Sequence, residues 1–139
     1  MKWLLYAFMS AFFASLTAIL AKIGVKGVDS NLATAIRTLV ILFFAWGIVF
    51  YQGGIKQLQD VSRYSLIFLV LSAITTGLSW LFYFRALQLG DVSKVSPIDK
   101  LSLVITIVLA SIILKEKVTL SILMGAVLMS LGAILIALG

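Results

Sequence analysis

The 139-residue chain has no cysteine, no histidine, a single proline and only five acidic side chains. Without thiol or imidazole the usual zinc, iron–sulfur and haem ligands are missing, as is the thiol nucleophile, so neither a metal nor a cofactor is expected. The carboxylates Asp29, Asp60, Asp91, Asp99 and Glu116 are widely separated in sequence. That leaves little material for acid–base chemistry, and no enzymatic activity is expected. Charge is scarce as well: 12% of residues are charged and 63% hydrophobic, where a soluble domain has about a quarter charged and about half apolar. Such a chain cannot cover the surface of a water-soluble globule of this length. The net charge of +6 is spread as single Lys and Arg residues between apolar runs. Lacking a basic face interleaved with aromatics, it argues against nucleic acid as a partner. Lipid is the expected solvent.

What the chain does have is long apolar runs. A helix crossing the hydrocarbon core needs about 20 mostly apolar residues, and five such spans are expected, at about 3–23, 32–51, 64–87, 95–114 and 119–138. The first is too long for a secretory h-region and four more follow, so it reads as a retained helix. The expected fold is an all-α integral membrane protein formed as a single transmembrane domain over 1–139. Loop charges set the topology. Lys2, Lys56, Arg63, Lys115 and Lys117 fall on the N-terminal side, against Lys26 and Lys94 in the opposite loops and Lys22 at the end of the first span. So weak a bias fits an N-in chain and also a dual topology.

Ionisable residues within the spans are costly and mark water-filled paths or buried pairs. Lys22, Arg37, Arg85, Asp99 and Lys100 all lie toward one membrane side and form a candidate charged gate cluster, with Arg37 and Asp99 the expected ion pair. Four bases against one acid favour a carboxylate or phosphate over a cation. Helical spacing adds a stripe. Ser72, Thr76, Ser79 and Tyr83 follow one face of the third span with Trp80 beside it, and Asp99, Ser102 and Thr106 follow one face of the fourth. Together these mark a substrate cavity. The competing account is that such hydroxyls bond their own helix carbonyls and pack at helix contacts.

Ala7, Ala11, Ala14, Ala18 and Ala21 give the first span a close-packing face. In the fifth, Ser121, Gly125 and Gly132 on one face, with Ala126, Ser130, Ala133 and Ala137 on the next, mark a helix-packing seam, within the chain or between chains. Pro97 is expected within the first turn of the fourth span, where its missing N–H costs least. A helix beginning near Val92 would instead break there and free carbonyls.

Ala86-Leu87-Gln88-Leu89-Gly90-Asp91-Val92, running on through Pro97-Ile98-Asp99-Lys100-Leu101-Ser102, and then Leu114-Lys115-Glu116-Lys117-Val118-Thr119, resemble the EamA domain of the drug/metabolite transporter superfamily. Ala21-Lys22-Ile23-Gly24 and Ala35-Ile36-Arg37-Thr38 are similar to the ends of that domain's first and second helices. The resemblance covers essentially the whole chain and is closest to the single-domain bacterial and archaeal branch. It implies a five-helix unit that is half of an inverted-repeat, ten-helix transporter fold, with the fifth helix peripheral. Lys115 departs from the pattern, since relatives commonly have glycine there. The first span also lacks the buried glutamate through which small multidrug-resistance relatives couple protons to cation export, which argues against that route.

The expected function is secondary transport, as an exporter, of a small metabolite or amphiphilic solute by alternating access. The chain would act as an antiparallel homodimer in a prokaryotic cytoplasmic membrane, with lipid and a small-molecule substrate as its other partners. The alternatives are a lipid-headgroup flippase or flippase subunit, and a structural membrane protein whose polar residues only pack helices.

Overall fold

The computed structural model describes residues 2–139. It is helical: α1 (Lys2–Gly24), α2 (Ser30–Tyr51), a short 3₁₀ segment (Gly54–Asp60), α3 (Arg63–Leu89), α4 (Val92–Asp99), α5 (Ser102–Ile113) and α6 (Leu120–Leu138), with no strand among the described residues. Five stretches are long and apolar enough to cross a membrane: α1, α2, α3, α6, and α4 with α5 as one span, Val92–Ile113. Their outer faces expose large side chains such as Phe43, Phe82 and Leu135, as expected where the solvent is hydrocarbon. The chain is an all-α integral membrane protein.

Local signals set the helix ends. The Oδ1 of Asp29 accepts from the N–H groups of Asn31 and Leu32 at the start of α2. Ser62 does the same for Ser65 ahead of α3, and Thr119 for Ile122 ahead of α6. Each satisfies a donor that has no partner inside its helix. Past the end of α2, Gly53 takes a positive φ of 69°, the left-handed conformation that glycine adopts most cheaply.

The chain forms two compact units. One is Ala21–Gln88 and the other combines the chain up to Leu20 with Leu89–Gly139. In the first, buried residues gather at one end: Ala21 and Val25 at the close of α1, Ser30, Ala33 and Thr34 in the opening turns of α2, and Phe84 and Leu87 near the end of α3.

In the second unit α4 packs along α6, with α5 touching α6 more lightly. The buried face of α6 carries Ala126 and Ala133, and between them the Ser130 hydroxyl donates to the Ala126 carbonyl at 2.8 Å. Small residues allow that close approach. Ser121 and Gly125, expected to form the seam, are exposed, and a Cβ added at Gly125 or Gly132 would meet no atom within 4 Å. Within this chain the packed face of α6 is the one that carries Ala126 and Ala133.

The fourth span starts at Val92, which places Pro97 inside α4 rather than in the opening turn of a helix beginning near residue 95. Proline has no N–H for the Ser93 carbonyl, and its ring crowds that turn. The helix tightens beyond it. Lys100, Leu101, Leu103 and Val104 each bond the carbonyl three residues earlier, and Lys100 and Leu101 separate α4 from α5. Pro97 thus interrupts the regular helical hydrogen bonding of the span beside Asp99.

After α5, Lys115 has a φ of 55°, a conformation that crowds a Cβ against the carbonyl oxygen. Glycine would relieve it, offset in part by the larger freedom of glycine in the unfolded chain. Lys115→Gly is expected to stabilise the protein by about 0.5–1 kcal/mol, read as a shift in the denaturation midpoint in detergent micelles. A destabilised variant would show that the lysine side chain contributes more than its backbone costs.

Candidate functional site

The buried end of the Ala21–Gln88 unit is held by polar bonds that cross between helices. Lys22 Nζ donates to the Leu87 carbonyl at 2.6 Å, so a cation sits at the C-terminal end of α3, where the helix dipole favours it. Gln88 Nε2 donates to the carbonyl of Val28 at 2.6 Å and more weakly to that of Val25 at 3.4 Å. Its Oε1 accepts from Arg85 at 3.1 Å. One glutamine therefore ties the loop after α1 to the last turn of α3. Gly27, in that loop, takes a φ of 75°. Lys22, Val25, Lys26, Gly27, Leu87 and Gln88 line an open cleft of about 300 Å³.

Arg37 lies seven residues into α2, about 10 Å along the axis from its start. Its guanidinium carbon is 4.7 Å from the centre of the Phe84 ring and 5.7 Å from that of Trp80. Both are within cation–π range. Phe84 is in turn 1% exposed and meets Tyr83 edge-on, with ring centres 5.9 Å apart. The Nε of Arg37 is shielded from solvent and has no hydrogen-bond partner among the described residues.

Ser72, Thr76 and Ser79 are exposed along α3, with Trp80 and Tyr83 half-buried one turn farther on. The hydroxyl of Thr76 donates to the Ser72 carbonyl at 2.8 Å, the self-bonding that the packing account requires. No such bond forms from the Ser72 or Ser79 hydroxyl among the described residues.

In the other unit, Ser102 and Thr106 lie one turn apart and exposed on α5. Within its own unit Asp99 pairs with its neighbour Lys100 at 3.2 Å, and within the Ala21–Gln88 unit the neighbours of Arg37 are aromatic rings.

Phe84, Leu87 and Gln88 were not singled out from the sequence. Phe84 stands four residues after Trp80 and Gln88 three after Arg85, so helical spacing placed each beside a residue that had been noticed. Nothing in an apolar run marked which ring would face the cation.

Comparison with known proteins fits this architecture. Residues 1–138 match the model of the EamA-like transporter family. A curated Sinorhizobium sp. protein named "Uncharacterized transporter in cobO 3'region" is 43% identical over 136 residues, covering 98% of this chain and 96% of that protein. No solved structure matches the chain. With its five apolar helical spans, the chain is a multi-pass membrane protein and belongs to the EamA-like transporter family.

Proposed function

We propose that the chain is a secondary transporter that exports a small metabolite or amphiphilic solute by alternating access, as a homodimer in a prokaryotic cytoplasmic membrane. The observation that carries this reading is the α3 stripe, where the hydroxyls of Ser72 and Ser79 are exposed and uncommitted inside an apolar span. A hydroxyl left without a partner in an apolar medium costs about 1–3 kcal/mol. Facing lipid, the stripe would be a liability; facing a hydrated path, it supplies hydrogen bonds to a passing solute. Trp80 and Tyr83 continue the stripe toward Arg37 and offer apolar contact to the rest of the molecule. The charged groups Lys22 and Arg85 would gate the same end of the stripe.

A single unit leaves this stripe uncovered. A second copy would complete the cavity at the interface between repeats, the arrangement in which transporter sites are commonly built. The 136-residue match to the Sinorhizobium relative spans 96% of that protein. The weak loop-charge bias favours antiparallel copies.

The test is counterflow in vesicles holding purified protein, with a panel of labelled amphiphilic amines, carboxylates and neutral solutes, alongside labelling of single cysteines placed in the short loops. Saturable counterflow of at least one solute is expected, with loop cysteines reacting from both membrane sides. One-sided labelling would remove the antiparallel arrangement. Folded protein that passes no solute would remove the transport reading.

A further inference from the structure

We infer that Arg37, laid against the faces of Trp80 and Phe84, is the docking group for an oxyanion, and that the solute carries a carboxylate or phosphate beside an apolar portion that lies along Trp80. The inference rests on the transport reading and adds the substrate class to it.

The geometry separates the two sides of the guanidinium. Its carbon lies 4.7 Å and 5.7 Å from the two ring centres, so the rings stabilise the positive charge without accepting its N–H bonds. Arginine carries five donors in a planar fork. Nε is shielded from solvent, and no hydrogen bond to Arg37 occurs among the described residues.

The Ala21–Gln88 unit itself offers the fork no carboxylate. The unit holds two carboxylates, Asp29 and Asp60. Asp29 is occupied with capping α2, and Asp60 lies nine residues beyond the end of α2. Near Arg37, the same end of the unit carries the cations Lys22, Lys26 and Arg85. An isolated cation in an apolar span is costly. A planar oxyanion supplies the opposite charge and can match the fork with two parallel hydrogen bonds. A neutral carbonyl would supply one acceptor and no charge. The indole of Trp80, half-buried beside the guanidinium, favours an anion attached to a flat apolar group.

Trp80 reports on its own neighbourhood once Trp3 and Trp46 are replaced by phenylalanine, since these are the three tryptophans of the chain. In phosphatidylcholine vesicles, benzoate and phenyl phosphate are expected to shift the Trp80 emission saturably, whereas benzamide, the uncharged isostere of benzoate, is not. Arg37→Lys keeps the charge but loses the fork and is expected to weaken benzoate binding about tenfold. Arg37→Gln is expected to abolish the response. Lys56→Gln, at the other end of the unit, should leave it unchanged.

Vesicles containing phosphatidylglycerol separate two sources of the oxyanion. If that lipid alone produces the Arg37-dependent shift and blocks benzoate, the oxyanion is a lipid headgroup; if it changes nothing, the oxyanion belongs to a free solute. A response to benzamide equal to that to benzoate, a benzoate response that survives Arg37→Gln, or no anion response from folded protein would overturn the inference. Any of these together with intact counterflow leaves the transport reading standing. An intact anion response without counterflow overturns that reading alone.

Discussion

Replacing Phe84 with alanine is expected to cost roughly 3 kcal/mol of stability, the low end of the range for truncating a buried ring because lipid, not water, solvates the unfolded reference. Phe84 is 1% exposed, and its face lies 4.7 Å from the Arg37 guanidinium. Truncation therefore opens a cavity and removes one of the two rings that stabilise a cation inside a span. Phe82, two residues earlier on the same helix, is 75% exposed. Its truncation should stay within about 0.5 kcal/mol, as for surface positions with no special partner. Unfolding in mixed micelles compares the two directly. Equal costs would mean that the Phe84–Arg37 contact contributes nothing to the fold.

Ser79→Trp is expected to abolish counterflow in a protein that still inserts and folds, while Leu78→Trp leaves the rate within a factor of about two. One residue of helical phase separates the two positions. At 3.6 residues per turn, neighbouring positions stand about 100° apart around the axis. Ser79 shares a face with Ser72, Thr76 and Tyr83, whereas Leu78 points away with Leu71 and Leu81. An indole at Ser79 occupies the proposed path. The same group at Leu78 meets lipid, where an aromatic residue is well tolerated. Equal inhibition by both would place the path elsewhere, and no inhibition by either would remove α3 from it.

Much of the architecture was legible because a bilayer imposes a length on its spans. Runs such as 32–51 and 119–138 contain no charge beyond Arg37, and Asp29 and Thr119 stand as caps just ahead of the helices that follow. The family was legible in residues 86–102, a stretch that includes Gly90, Asp91, Lys94, Pro97, Asp99 and Lys100 between longer apolar runs. Pro97 was harder to place. Its preference for a first turn is statistical, and the packing of α4 along α6 carries the helix back to Val92.

The surroundings of Arg37 were harder still. Its charge and depth could be read from position alone, but its neighbours depend on how α2 and α3 meet. Among nine phenylalanines, no local pattern distinguishes Phe84, which faces a cation, from Phe82, which is exposed. Gln88 looked like an ordinary polar residue at a helix end. Its bonds to Val25 and Val28 span 60 residues or more of sequence, a separation that no periodicity reports.

The central claim, that the hydroxyl face of α3 borders a water-filled path, is tested most directly by single-cysteine accessibility over residues 70–86 in membranes, using a membrane-impermeant, water-soluble thiol reagent. The native chain has no cysteine, so each introduced thiol is the only one to react. Reactivity is expected to peak at 72, 76, 79 and 83 and to fall at these positions when a transported solute is present. A flat profile, or one peaking at 71, 74, 78 and 81, would contradict the account.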